Sequence, residues 1–89
     1  MSPSERKAQI ETRLRDAFEP DQLEVIDESH LHKGHAGARD GRGHFRVHIV
    51  ASLFAGIAPL QRHRMVYQVL GELMHTEIHA LAIEVEVSK

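Results

Sequence analysis

The sequence predicts an α+β domain in which a three-stranded sheet is covered on one face by helices. Three observations carry that expectation. Residues 44–51 and 81–87 alternate between apolar and polar side chains, the pattern of a half-buried strand. Ile10, Leu14, Ala17 and Phe18 recur at helical spacing, as do Leu60, Val66, Val69, Leu70 and Leu73. A glycine-rich stretch, "KGHAGARDGRG", separates two of the strand candidates and reads as a flexible, exposed loop.

The elements follow in order. Ser2 is placed to cap a first helix, Pro3 suits its first position, and Glu5 completes a Ser-x-x-Glu capping box. Glu11 and Arg15 form a favourably oriented pair on its wet side, and Pro20 stops it. Residues 23–31 read as a strand, with Leu23 and Val25 alternating against Glu24 and Ile26 adding a second apolar face. In "HFRVHIVAS", Phe45, Val47, Ile49 and Ala51 share one face while His44, Arg46, His48 and Val50 share the other. These two strands are expected to form an antiparallel hairpin with a long loop. "LFAGIAP" is a turn that ends in Pro59, and a second helix is expected over residues 60–75. "IHALAIEVEVSK" closes the chain as a strand, with Leu81, Ile83, Val85 and Val87 facing one way. No repeat or linker divides the 89 residues, so a single domain over 1–89 is expected.

Composition narrows the function classes. With no cysteine, the chain alone builds no disulfide, no thiol nucleophile and no thiolate metal site. A net charge of −2 gives no global basic field of the kind that drives nucleic-acid binding. No apolar run approaches the ~18 residues of a spanning helix. The charged N-terminus lacks a signal peptide's apolar centre, which points to a cytoplasmic protein. Eight histidines are the anomaly; protonating all of them would reverse the sign of the net charge.

Several histidine and arginine clusters are candidates for chemistry. His30, His32 and His35 crowd into "DESHLHKGH", where a strand would align His30 and His32 with Glu28. Imidazole pairs suit Zn, Cu, Fe or Ni, yet a closed zinc site needs four fixed ligands, and an exposed polar loop explains the cluster as well. In "QRHRMVY", Arg62, His63 and Arg64 fan over roughly 200° of a helix surface. They are placed to meet phosphate near the helix N-terminus, or simply to form a solvated face. His79 lies between Ile78 and Ala80, as a ligand or as a hydrogen-bonded structural residue. Gly34-His35-Ala36-Gly37 matches the backbone clamp of KH domains, but it joins two strands where that clamp joins two helices. No nucleophile elbow, P-loop or zinc-protease motif is present, so an enzyme is not expected.

Nearly end to end, the chain resembles the BolA family. The resemblance is carried by "LEVIDESHLHKGH" (23–35), "HFRVHIV" (44–50), "FAGIAPLQRHRMVYQVL" (54–70) and "IHALAI" (78–83), in that order. It implies a class II KH-like fold ordered α-β-β-α-α-β, with one short helix near residues 54–58 added to the elements above. No clamp follows the second strand, where the chain has Gly56-Ile-Ala-Pro59.

The resemblance also implies partners. BolA-like proteins pair with monothiol glutaredoxins and share a 2Fe–2S cluster held by the glutaredoxin's cysteine and a glutathione on one side. The BolA side supplies a C-terminal histidine and a His or Cys from the loop between the first two strands. Carried over by position, these are His79 and His32, with His35 as the alternative to His32. A chain without cysteine is suited to the nitrogen-ligated half of such a cluster, and Rieske centres show that histidine on one iron is viable. The family's second role is DNA binding by a transcriptional regulator, which would use Arg62, His63, Arg64, Lys33, Arg39 and Arg42. A heterodimer with the glutaredoxin, a monomer when alone and no membrane contact are the corresponding expectations. Adventitious Zn or Ni binding by the histidines alone is the plainer alternative.

Overall fold

Ser2 Oγ accepts a hydrogen bond from the Glu5 N–H at 3.2 Å, and the helix α1 runs Pro3–Phe18, as its capping signals require. The computed structural model of the protein describes residues 1–29 and 42–88. α1 ends where Glu19 turns left-handed (φ 45°) and donates its N–H to the Arg15 carbonyl, with Pro20 barring continuation. Ile10, Leu14 and Phe18 bury one stripe of it, and Leu14 is fully enclosed.

The strands β1 (Gln22–Asp27) and β2 (Gly43–Val50) pair antiparallel, with Val25 opposite Val47 and Leu23 opposite Ile49. Regular pairing runs to Asp27, and the Glu28 N–H still donates to the His44 carbonyl at 2.7 Å; residues 30 and 31 of the expected strand lie outside the described residues. The Ser29 N–H bonds to the Asp27 carboxylate at 2.9 Å, an Asx-type bond at the strand end. The strand β3 (Ile78–Glu86) lies on the other side of β2 and runs parallel to it, so the sheet is mixed with β2 in the centre. Parallel return needs a crossover, and helices supply it.

That crossover departs from the expectation of one helix over 60–75. It consists of α2 (Pro59–Leu70) and a single further turn, α3 (Leu73–Thr76), separated at Gly71. Gly71 adopts φ 52° and ψ −126°, a conformation that L side chains disfavour. The apolar spacing still looks continuous because the break returns Leu73 to the core, where it is 4% exposed. The short helix expected near 54–58 is instead one 3-10 turn over Ser52–Phe54. The paired helices of the α-β-β-α-α-β order are therefore α2 and α3. Leu60, counted in the expected apolar stripe, is 64% exposed at the start of α2.

Helices cover one face of the sheet. Phe45, Val47, Ile49 and Ala51 point into a core closed by α1, by Val66 and Leu70 of α2, and by Phe54, whose ring lies 4.8 Å from that of Phe18. The opposite face carries Glu24, Ile26, Arg46, His48, Glu84 and Glu86, all exposed or half-buried. Arg46 bridges Glu28 on one side and Glu84 on the other, and His48 Nε2 lies 2.6 Å from the Glu86 carboxylate. Among the described residues no helix is long and apolar enough to cross a membrane.

Candidate functional site

The edge of the sheet where β2 and β3 begin gathers the chemistry. Gly43 is buried there, and a Cβ on it would stand 2.6 Å from the Phe45 ring and 3.1 Å from Ser29 Oγ. Its lack of a side chain lets β2 start tight against the core. The Gly43 N–H donates to the Glu77 carbonyl at 2.9 Å, tying the β2 start to the β3 start. Ile78, 1% exposed, anchors β3 from below. On the flank, Glu77 accepts a hydrogen bond from Arg6 Nε at 2.9 Å, joining this corner to α1. That bond and the guanidinium's charge hold the Glu77 carboxyl below its ordinary value, against the opposing effect of desolvation.

Between Ile78 and Ala80 the parallel register slips by one residue: Gly43 faces Ile78, but His44 faces Ala80. His79 is the extra residue, and a bulge of this kind re-aims the side chain it releases. It brings the exposed His79 imidazole against His44, with ring centroids 5.1 Å apart at 43°. His44 is itself only 7% exposed, its backbone fixed by Ser29 Oγ at 3.0 Å and by the Glu28 N–H at 2.7 Å. Beside it, Glu28, His44, Arg46 and Ala80 help line a depression of about 260 Å³. Arg42 completes the corner. Its guanidinium lies 3.2 Å from His79 Nδ1 through Nη2, and it donates through Nη1 to the His75 carbonyl at 3.3 Å.

Of the residues singled out in the sequence, His79 and Arg42 are brought together. His32, His35, Lys33 and Arg39, with His30 and the Gly34–Gly37 tetrapeptide, lie outside the described residues. Arg62, His63 and Arg64 occupy the first turns of α2, a separate element. They differ in environment: Arg62 is half-buried and donates Nε to the Ile57 carbonyl at 2.6 Å, whereas Arg64 is exposed. His44 was not singled out. Strand alternation places it on the face away from the core, but its contact with His79 depends on the parallel partner and the bulge, neither of which local pattern reveals.

An exposed imidazole on a strand fixed by buried neighbours is a competent nitrogen donor. It does not make a closed site by itself. Among the described residues no group of three or more His, Cys, Asp or Glu side chains is arranged to hold a metal ion. With no cysteine, the chain offers imidazole nitrogen but no thiolate to any metal group.

Comparison with known proteins gives one consistent answer. Residues 14–89 match the family model described as BolA-like protein. The DNA-binding transcriptional regulator BolA of Escherichia coli (strain K12) is 46% identical over 77 residues, covering 86% of this chain and 70% of that protein. BolA-like protein 1 of Homo sapiens is 45% identical over 78 residues, covering 88% of this chain and 55% of the human protein. Among solved structures, the BolA domain of SufE1 from Arabidopsis thaliana superposes with a TM-score of 0.82 at 31% identity, covering 98% of this chain and 94% of that one.

Proposed function

The chain belongs to the BolA-like family, and from that premise we propose that it is a non-enzymatic adaptor sharing a 2Fe–2S cluster with a monothiol glutaredoxin. The observation that carries the proposal is His79: an exposed imidazole, presented by a bulge at a hydrogen-bonded strand start beside buried Ile78, in a chain without cysteine. His79 supplies one nitrogen ligand. His32, or His35 in its place, supplies the second from the loop between β1 and β2. The glutaredoxin cysteine and a glutathione supply the thiolates. The cluster brings electron-transfer and iron–sulfur donor chemistry, and this chain's residues orient and hold one side of it. The reading assigns one domain over 1–89, a monomer when alone, in the cytoplasm with no membrane contact. It assigns no catalytic step; the relatives named above are called a regulator and a BolA-like protein.

Because its ligands on this side are imidazoles, the shared cluster should be lost in acid earlier than an all-thiolate one. The test is anaerobic co-purification with a monothiol glutaredoxin and glutathione, read by visible circular dichroism. A one-to-one complex with a cluster signal that neither protein gives alone is expected. No complex, or a signal identical to that of the glutaredoxin alone, contradicts the proposal.

A second reading is DNA-binding regulation, favoured by the name of the Escherichia coli relative and by the exposure of Arg64 on α2. Arg64, His63 and Arg62, with Lys33, Arg39 and Arg42, would face the phosphates. A shift of duplex DNA at low salt, weakening steeply as salt rises, is its signature. The absence of any shift removes it.

A further inference from the structure

We propose that Arg42 is a positioning residue for His79: it holds the imidazole with its hydrogen on Nε2, and it must withdraw before His79 ligates a metal. This rests on the reading of His79 as a cluster ligand. A guanidinium has N–H donors and no acceptor. In the 3.2 Å contact between Arg42 Nη2 and His79 Nδ1, the ring nitrogen must therefore be the acceptor. A neutral imidazole that accepts at Nδ1 carries its hydrogen on Nε2.

That arrangement leaves no ring nitrogen ready for iron. The Nδ1 lone pair points at Arg42, and Nε2 is occupied by hydrogen. Two routes free a lone pair. Either Arg42 leaves and Nδ1 coordinates directly, or Arg42 leaves, the hydrogen transfers from Nε2 to Nδ1 through solvent, and Nε2 coordinates. No net proton is gained or lost in either, and both begin with loss of the Arg42 contact.

The rest of the corner suits a latch. The same guanidinium reaches the His75 carbonyl at 3.3 Å, so it spans the turn from α3 into β3. Each of these two contacts is long and exposed, so each by itself holds weakly. The His44 ring packed against His79 restricts how far the imidazole can swing once released. In sequence, Arg42 directly follows the segment bearing His32 and His35.

Ring-nitrogen spectra of the ¹⁵N-labelled full chain alone, at a pH where imidazole is neutral, read the latch directly. In the wild type His79 should show hydrogen on Nε2, and in Arg42→Ala it should move toward the tautomer mixture shown by His63, whose own signals stay in place. A merely structural role for Arg42 would not move this signature. If wild-type His79 already matches His63, or if Arg42→Ala leaves it unmoved, the latch does not exist. With glutaredoxin and glutathione, Arg42→Ala should load the shared cluster about threefold to tenfold faster. Unchanged or slower loading overturns the gating role. A His79→Ala chain that loads normally overturns the cluster reading itself, a separate failure.

Discussion

At Gly43 a side chain has no room, because the ring that a Cβ would meet at 2.6 Å belongs to Phe45, which is 2% exposed and closed in by the core. Gly43→Ala should therefore cost about 1–3 kcal/mol by overpacking. Denaturant melts of the two chains check this, and an unchanged midpoint would show that the corner is looser than its distances imply. The residue scale is also where the sequence was least legible. His79 was recognisable as a candidate through family resemblance, since a lone histidine among apolar neighbours looks the same whether it is structural or a ligand. Arg42 was visible as a basic residue in a glycine-rich stretch, with nothing local to place it beside His79. His44 was visible as one of several polar residues on the open side of a strand. What joins the three is the parallel register of β2 and β3 with its one-residue slip, a long-range fact.

At the scale of elements, ion pairs hold the helices around the site. Arg6 of α1 grips Glu77 just before β3, and Arg13 of α1 bonds both the Leu70 carbonyl, at 2.9 Å, and the Glu72 carboxylate, at 3.0 Å. The Arg13 hydrogen bond holds the Glu72 carboxyl below its usual value, as Arg6 does for Glu77. A carboxylate whose folded-state pKa is lowered contributes stability above its unfolded pKa, and that contribution disappears as pH falls through the folded value. Glu77→Gln should accordingly destabilise the chain at neutral pH, and the gap to wild type should shrink as pH falls below the ordinary glutamate range and through the lowered folded-state value. Thermal melts over that range check it; a gap that persists in acid would mean the pair is not the cause. The α2 arginines separate in the same way. Arg64→Ala should lower the salt slope of any DNA binding by about one contact. Arg62→Ala should chiefly loosen the turn that it ties through the Ile57 carbonyl, with a lower melting temperature as the readout. The helix starts were legible from Ser2, Pro3 and Pro59. The break at Gly71 was not, because Leu70 and Leu73 stay in the core on either side of it and preserve the apolar spacing.

For the whole molecule, the class, the one-sided sheet and the antiparallel hairpin followed from periodicity, while the order of strands did not. Alternation in residues 81–87 states that β3 has a buried face, and Leu81, Ile83 and Val85 do pack against the core. It does not state which neighbour β3 takes or in which direction. The parallel pairing places the start of β3, with His79, next to the start of β2, with His44 and Arg42, and so builds the site from residues far apart in the chain. An account in which this corner is the nitrogen half of a shared cluster makes one direct demand on spectroscopy. With this chain ¹⁵N-labelled at histidine and the glutaredoxin unlabelled, pulsed electron paramagnetic resonance of the reduced shared cluster should show strong ¹⁵N hyperfine coupling. His79→Ala should remove the coupling from one nitrogen, or the cluster with it. A reduced cluster that forms with both proteins and shows no ¹⁵N coupling from this chain would contradict the account.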